Sequence, residues 1–317
     1  MERKAQYGIM NNINLSTSGW PDYELLDSGD NKKLERFGLF ILIRPETQAI
    51  WRPLHPELWK TAKAEFRFDG GKGSWRSKNN GGSETWEITW NSEARFTLRL
   101  TSFKHTGVFP EQAPNWEWIA EQVSALAKNA TRNGGAGAAT DKPKVLNLFG
   151  YTGIASIVAA KHGALVTHLD ASKQSNTWAK ENAVLSDVPS DILRYITDDA
   201  LKFVEREIRR GSVYDGIILD PPAFGRGPDG EVWKIEEDIV PLLDAVRKIF
   251  SQKAGSFFLL NGYAAGYAPQ SLLQAVEGSF PEIATTKKIN GEYGELRINE
   301  SKSDRCIPSG IYVRFMR

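Results

Sequence analysis

The stretch Tyr214-Asp215-Gly216-Ile217-Ile218-Leu219-Asp220-Pro221-Pro222-Ala223-Phe224 joins an apolar run to a segment that cannot prolong it. The β-branched run suits a strand buried on both faces, the mark of a parallel sheet. It stops at a carboxylate, two prolines and an aromatic ring. Neither proline can extend the strand or donate an N–H, so the strand end offers acceptors only: the Asp220 carboxylate and its neighbouring carbonyls. Beside the Phe224 ring, such a cluster suits gripping an amino group on a flat ring. Taken alone, the motif reads first as an Asp-Pro turn that merely closes a strand.

Strand and helix alternate on both sides of this stretch. Apolar runs predict strands over 145–149, 165–170, 192–197, 214–219 and 255–260, with helices over 153–161, 173–185, 200–209 and 236–250. Alternation of this kind implies βαβ units and a parallel sheet wound with right-handed crossovers. Segments 283–298 and 311–315 read as a closing antiparallel hairpin. The first ~100 residues differ. A strand is read at 37–43, strands at 86–90 and 96–100 alternate as if with one buried face, and the segment 69–82 is too glycine-rich to pack. Helical spacing begins at Trp116, and a Gly/Ala-rich connector covers 133–140. The chain divides into a small β-rich domain over 1–100 and an α/β domain over 101–317.

Bulk properties exclude several classes. The 317 residues are 41% hydrophobic and 25% charged, an ordinary globular composition. No apolar run approaches the ~20 residues that span a bilayer. The N-terminus lacks an apolar signal region, so a cytoplasmic protein without membrane contact is expected. Cys306 is the only cysteine, and four histidines show no metal-ligand spacing, so neither a disulfide framework nor a metal site is expected. With 40 basic against 39 acidic residues, any polyanion contact must come from a local patch. The candidate is Arg67, Lys72, Arg76 and Lys78 against Asp69, with Trp75 among them, although a solvated loop would look the same.

In an open α/β sheet, ligands bind beyond the carboxyl ends of the strands, and four such ends carry suitable groups. The first is the turn Phe149-Gly150-Tyr151-Thr152-Gly153, where glycine lets a ligand approach the backbone. Phe149 and Tyr151 interrupt the full dinucleotide-binding glycine pattern. The second is Asp170-Ala171-Ser172, whose carboxylate can accept the hydroxyls of an adenosine ribose. The third is Asp198-Asp199-Ala200, which can hold an adenine amino group. Helix capping competes at the second and third ends. The fourth is Asp220-Pro221-Pro222-Ala223-Phe224.

This order (glycine turn, ribose acid, Asp-Ala, Asp-Pro-Pro-aromatic) resembles the class I S-adenosylmethionine-dependent methyltransferases. Upstream, Thr106-Gly107-Val108-Phe109-Pro110-Glu111-Gln112 is similar to an element of the bacterial 23S ribosomal RNA methyltransferases of the large-subunit K and I type. The similarity runs from residue 95 to 263 and is more specific for cofactor and fold than for substrate. It implies a Rossmann-like domain, with a mostly parallel seven-stranded sheet and helices on both faces, preceded by a small β-rich domain. It also implies S-adenosylmethionine as cofactor, with Thr106, Gly107, Phe109 and Gln112 lying over it, and RNA as partner. Two departures stand out. Ala113-Pro114 follows Gln112 where the family often has arginine, and Asn147 opens the glycine turn where a carboxylate is commoner.

The expected reaction is methyl transfer to a nucleobase nitrogen, in ribosomal RNA by family resemblance, with Asp220, Pro221, Pro222 and Phe224 as the catalytic group. The Asp220 carboxylate and the Pro221 carbonyl would accept the two N–H bonds of an aromatic amine, freeing its lone pair. The same fold acting on a protein or small-molecule nitrogen is an alternative. Methylation at pyrimidine C5 is another, but that route ordinarily needs a cysteine nucleophile, and none lies near the strand ends. An NAD-dependent oxidoreductase is more distant, because the glycine turn is interrupted. A non-catalytic RNA-binding module would have no use for the Asp-Pro-Pro motif. The segment 225–230, which includes Arg226, reads as a lid.

Overall fold

The computed structural model describes residues 9–70, 72–77, 84–133, 142–263, 266–286 and 289–317. Lys78 and the connector at 134–140, both singled out above, lie outside the described residues. The chain folds as two compact units. The first holds residues 1–15, 115–295 and 310–317; the second holds 16–114 and 296–309. The division is therefore discontinuous, whereas the sequence reading put one cut near residue 100.

The main sheet is built on strands β1 (Lys144–Leu148), β2 (Leu165–Asp170), β3 (Leu193–Thr197), β4 (Gly216–Leu219), β5 (Phe257–Gly262), β6 (Asn290–Asn299) and β7 (Cys306–Met316), of which all but residues 296–299 and 306–309 belong to the first unit. They lie in the order β3-β2-β1-β4-β5-β7-β6. Strands β1 to β5 are parallel and β7 is antiparallel to β5. The expected seven-stranded sheet is thus present. Two further strands, Ile9–Asn12 and Leu15–Thr17, pair with β6 and raise the total to nine. The connecting helices are α1 (Ala113–Asn133), α2 (Ile154–Lys161), α3 (Lys173–Leu185), α4 (Ala200–Arg209), α5 (Ile235–Ile249) and α6 (Pro269–Ser279).

Alternation along the central strands sends side chains to both faces. Leu146, Leu148, Ile217, Leu219, Phe258 and Leu260 pack into one cluster with Phe203 and Val204 of α4, Leu243 and Val246 of α5, and Val276 of α6. On the other face, Asn147 reaches Ser156 of α2, and Phe257 meets Trp118 of α1 edge-on at 5.5 Å. Each such apolar side chain contributes roughly 1.5–3 kcal/mol when fully buried. Gly216 is required beneath Phe257, since a Cβ there would stand 2.3 Å from the ring. The chain winds outward from β1 to β3 and then returns to place β4 on the other side of β1. That reversal is the topological switch point, and it sets the carboxyl ends of β1 and β4 side by side, with Leu148 opposite Leu219.

The second unit contains a five-stranded sheet in chain order: Tyr23–Gly29, Lys32–Phe37, Phe40–Pro45, Ala64–Asp69 and Lys72–Ser77. A separate hairpin pairs Thr85–Trp90 with Ala94–Arg99. Of the expected strand over 37–43, residues 40–43 lie in the strand Phe40–Pro45, while Gly38, left-handed at φ 59°, makes a hairpin corner before it and leaves Leu39 exposed. The described part of the glycine-rich segment also forms a strand, Lys72–Ser77. Phe66 lies over Gly73, where a Cβ would be 2.3 Å from its ring, and packs edge-on against Trp75 at 5.3 Å. An aromatic ring covering a strand glycine restores the packing that glycine lacks. Helix α6 has no counterpart in the sequence reading, and residues 282–285 form a short helix where a strand was expected.

Candidate active site

β1 runs into α2 through Phe149-Gly150-Tyr151-Thr152-Gly153. Phe149, Tyr151 and Gly153 all adopt left-handed backbone, at φ 58°, 50° and 85°. Such backbone is routine for glycine but costs other residues about 1–3 kcal/mol each, so the strain rests on the two aromatic residues. Gly150 donates its N–H to the Leu169 carbonyl at 2.9 Å. A Cβ on Gly150 would meet the His168 ring at 2.4 Å, and one on Gly153 would meet Ala179 at 2.8 Å. The room left by these glycines is therefore filled by the protein itself.

His168 is fully buried, with Nδ1 2.9 Å from Ser156 Oγ. That hydroxyl also accepts from Asn147 Nδ2 at 2.8 Å, so Asn147, Ser156 and His168 form one buried polar chain. Burial pushes the His168 pKa down to about 4, and the ring is neutral. Asn147, standing where a carboxylate is commoner, thus meets uncharged partners; a charge there would be buried without a counterion.

At the end of β2, Asp170 binds in two directions. One oxygen accepts the Tyr151 N–H at 2.8 Å and the other the Ser172 N–H at 2.8 Å. Burial raises its pKa. The cap of α3 is Ser172, whose hydroxyl accepts the Ser175 N–H at 3.1 Å, and Ala171 links the two. Asn176 ties this end to β3. Its Nδ2 stands 3.0 Å from the Asp170 and Ile196 carbonyls and 2.8 Å from Thr197 Oγ1. At the end of β3, Asp199 caps α4 through the Lys202 N–H at 3.0 Å. Asp198 accepts the Asp199 N–H at 2.8 Å and pairs with Arg206. Ala200, the first residue of α4, is buried.

Asp220 follows β4 and donates its N–H to the Leu148 carbonyl at 3.3 Å. One side-chain oxygen accepts the hydroxyl of Tyr263, just past β5, at 3.3 Å. Pro221 is buried. The Pro222 carbonyl accepts Trp233 Nε1 at 2.7 Å, and the Trp233 ring lies 4.9 Å from that of Phe149. Trp233 so links the Asp-Pro-Pro segment to the glycine turn. Phe224 is 57% exposed. It begins a short hairpin in which Phe224–Arg226 pairs with Val232–Lys234. The segment expected to be a lid is the tip of this hairpin, closed by the Gly227 N–H on the Glu231 carbonyl at 2.9 Å. The buried indole of Trp233 pins it.

The strand ends thus gather Phe149 to Gly153, Asp170, Asp198 and Asp220 on one edge of one sheet. Thr106, Gly107, Phe109 and Gln112 belong to the second unit. There Thr106 and Gln112 are buried, Gly107 has φ 112°, and the Phe109 ring lies 4.9 Å from that of His105. Glu111 is buried too, which raises its pKa. Ala113-Pro114, at the arginine position of the similar element, opens α1. Tyr263, Trp233, Asn176 and His168 carry no role in the sequence reading. For Tyr263 the available signal was its place just beyond a predicted strand. Among the described residues no metal-ligand cluster occurs and no helix is long and apolar enough to cross a membrane.

No protein-family model matches the chain. Among curated proteins, the ribosomal RNA large subunit methyltransferase K/L of Shewanella sp. (strain MR-4) is 32% identical over 177 residues, 55% of this chain. The Pseudoalteromonas translucida protein of the same name is 31% identical over 170 residues, 53% of this chain. The chain spans about a fifth of the length of these relatives, 22% and 21%. A Streptococcus mutans structure shares the fold, with TM-score 0.69 at 16% identity over 93% of this chain and 75% of that one. The crystal structure of the SAM-dependent methyltransferase from Agrobacterium tumefaciens superposes with TM-score 0.86 and 39% identity, covering 100% of this chain and 97% of that one. With that likeness along its whole length, and with its sheet order and switch point, the chain belongs to the S-adenosylmethionine-dependent methyltransferases.

Proposed function

We propose that this enzyme methylates a nitrogen of a nucleobase in RNA, with ribosomal RNA as the substrate class. The observation that carries the reading is the acceptor-only strand end at the switch point: the Asp220 carboxylate, held by the Tyr263 hydroxyl and followed by two prolines. The names of the curated relatives support the RNA half. S-Adenosylmethionine supplies an electrophilic methyl group on a sulfonium.

The strand ends fit that cofactor on one structural count. Each Asp170 oxygen takes a single backbone N–H, and each keeps a lone pair for one hydroxyl of a ribose diol. Phe149 to Gly153, Ala171 and Ser172 would line the same subsite, with Asp198 to Ala200 at the adenine end. Asp220 has a different task. It and the Pro221 carbonyl accept the two N–H bonds of the substrate amine, since Trp233 already occupies the Pro222 carbonyl. This directs the nitrogen lone pair at the methyl carbon. Holding two reactants in line contributes roughly 7–11 kcal/mol. Phe224, more than half exposed, stacks on the base. Pyrimidine C5 is the poorer target, because no cysteine stands at the carboxyl ends of β1 to β5.

The test is nucleoside mass spectrometry of RNA and protein fractions incubated with enzyme and labelled S-adenosylmethionine. The expected product is an N-methylated base. Label only in protein, or only at pyrimidine C5, would refute the proposal.

A further inference from the structure

The β-rich unit holds a cleft of its own. Its volume is about 410 Å³, and it is lined by Ser74, Trp75, Ser77, Leu100, Thr101 and Ser102. Trp75 forms one wall. Its indole is held by a hydrogen bond from Nε1 to the Phe103 carbonyl at 3.1 Å and by edge contact with Phe66. Phe103 and Phe68 are 69% and 66% exposed, an unusual outlay of aromatic surface beside one hairpin.

Lys72–Ser77 is the last strand of its sheet. Alternation puts Phe66, Phe68 and Trp75 on one face of the hairpin, while Arg67 and Arg76 fall on the other. Arg76 pairs with the exposed Asp69 at 3.4 Å, while Arg67 pairs at 2.5 Å with Glu65, which is mostly covered. An exposed pair such as Arg76–Asp69 is worth about 0–1 kcal/mol, so the Arg76 guanidinium can exchange its carboxylate for a phosphate. Lys72 adds an exposed cation at the turn. An aromatic wall, hydroxyl-bearing neighbours and cations just over a strand edge match the two halves of a nucleotide: a base to stack and a phosphate to neutralise.

We propose that this cleft is a second RNA subsite, distinct from the catalytic strand ends, that takes one unpaired nucleotide. Its base lies against Trp75 and Phe103, and its phosphate crosses the edge of Lys72–Ser77 to Arg76. The inference rests on RNA being the substrate. A peptide laid along the same edge would not engage the arginines on the far face.

Fluorescence anisotropy with a labelled single-stranded RNA 12-mer tests it, on the full chain and on the variants Phe103→Ala, Trp75→Ala, Trp75→Phe and Arg76→Glu. Calorimetric titration with S-adenosylmethionine reports folding of each variant, and Phe103→Ala alters a ring that is mostly in solvent. Phe103→Ala and Trp75→Ala should each weaken RNA binding about tenfold, while Trp75→Phe retains most of it. Arg76→Glu should flatten the plot of log affinity against log salt by about 1. If all variants bind and methylate RNA like the wild type, the cleft is idle, although RNA remains the substrate. If the wild type itself neither binds nor methylates RNA, the substrate reading falls and the cleft assignment falls with it.

Discussion

Gly150 shows how much chemistry one missing side chain can organise. The His168 imidazole occupies the place of its Cβ, 2.4 Å away, and Ser156 and Asn147 hold that imidazole in turn. Gly150→Ala must therefore either lift the turn or break the Ser156–His168 hydrogen bond. Overpacking of this sort costs typically about 1–3 kcal/mol. The urea midpoint should fall accordingly, with cofactor affinity falling beside it. Adding His168→Ser should recover part of both losses, because the two positions share one volume. Strict additivity in the double variant would show that the ring and the glycine are not coupled.

At the level of elements, Asn176 matters most for a residue that touches no reacting atom. From α3 its amide bridges the ends of β2 and β3, with three acceptors within 3.0 Å. Asn176→Ala should cost about 1–3 kcal/mol in urea unfolding, because buried carbonyls lose their donor. Calorimetry should also show weaker S-adenosylmethionine binding as the spacing of Asp170 and Asp198 relaxes. Unchanged affinity would remove Asn176 from the positioning of the site. Elements whose signals are local were legible in the sequence. The 165–170 strand and the 173–185 helix have the predicted bounds, because strand-type apolar runs and a serine cap act within a few residues. Elements made by distant contacts were not. Lys72–Ser77 pairs because Phe66 covers Gly73, and the Phe224 hairpin exists because Trp233 reaches back to Pro222. The strand-end acids Asp170, Asp198 and Asp220 could be read from spacing, whereas Tyr263 and Trp233 enter only through the fold.

Across the whole molecule, each unit holds a neutral histidine, His168 fully buried and His105 partly buried. Burial, aided by Arg44, Lys104 and Lys33, pushes the His105 pKa down to about 3, and burial alone takes that of His168 to about 4. An unfolded chain protonates histidine near pH ~6.5. Between that value and the folded ones, the unfolded state binds more protons, so stability falls as pH falls. The raised carboxyls of Asp170 and Glu111 act in the opposite sense, their contribution being present at acid pH and lost as pH rises through their folded values. From about pH 7.5 to about pH 5.5, His168 alone should remove about 1 kcal/mol. The urea midpoint of His168→Gln should drop less over that interval than the wild type's, and an equal drop would contradict the burial argument. On the proposed function catalysis turns on Asp220, and the most direct measurement is single-turnover methyl transfer to RNA by Asp220→Asn, read beside its calorimetric affinity for S-adenosylmethionine. Transfer should slow at least about a hundredfold, with affinity close to wild type. Transfer at the wild-type rate would contradict the role assigned to this carboxylate.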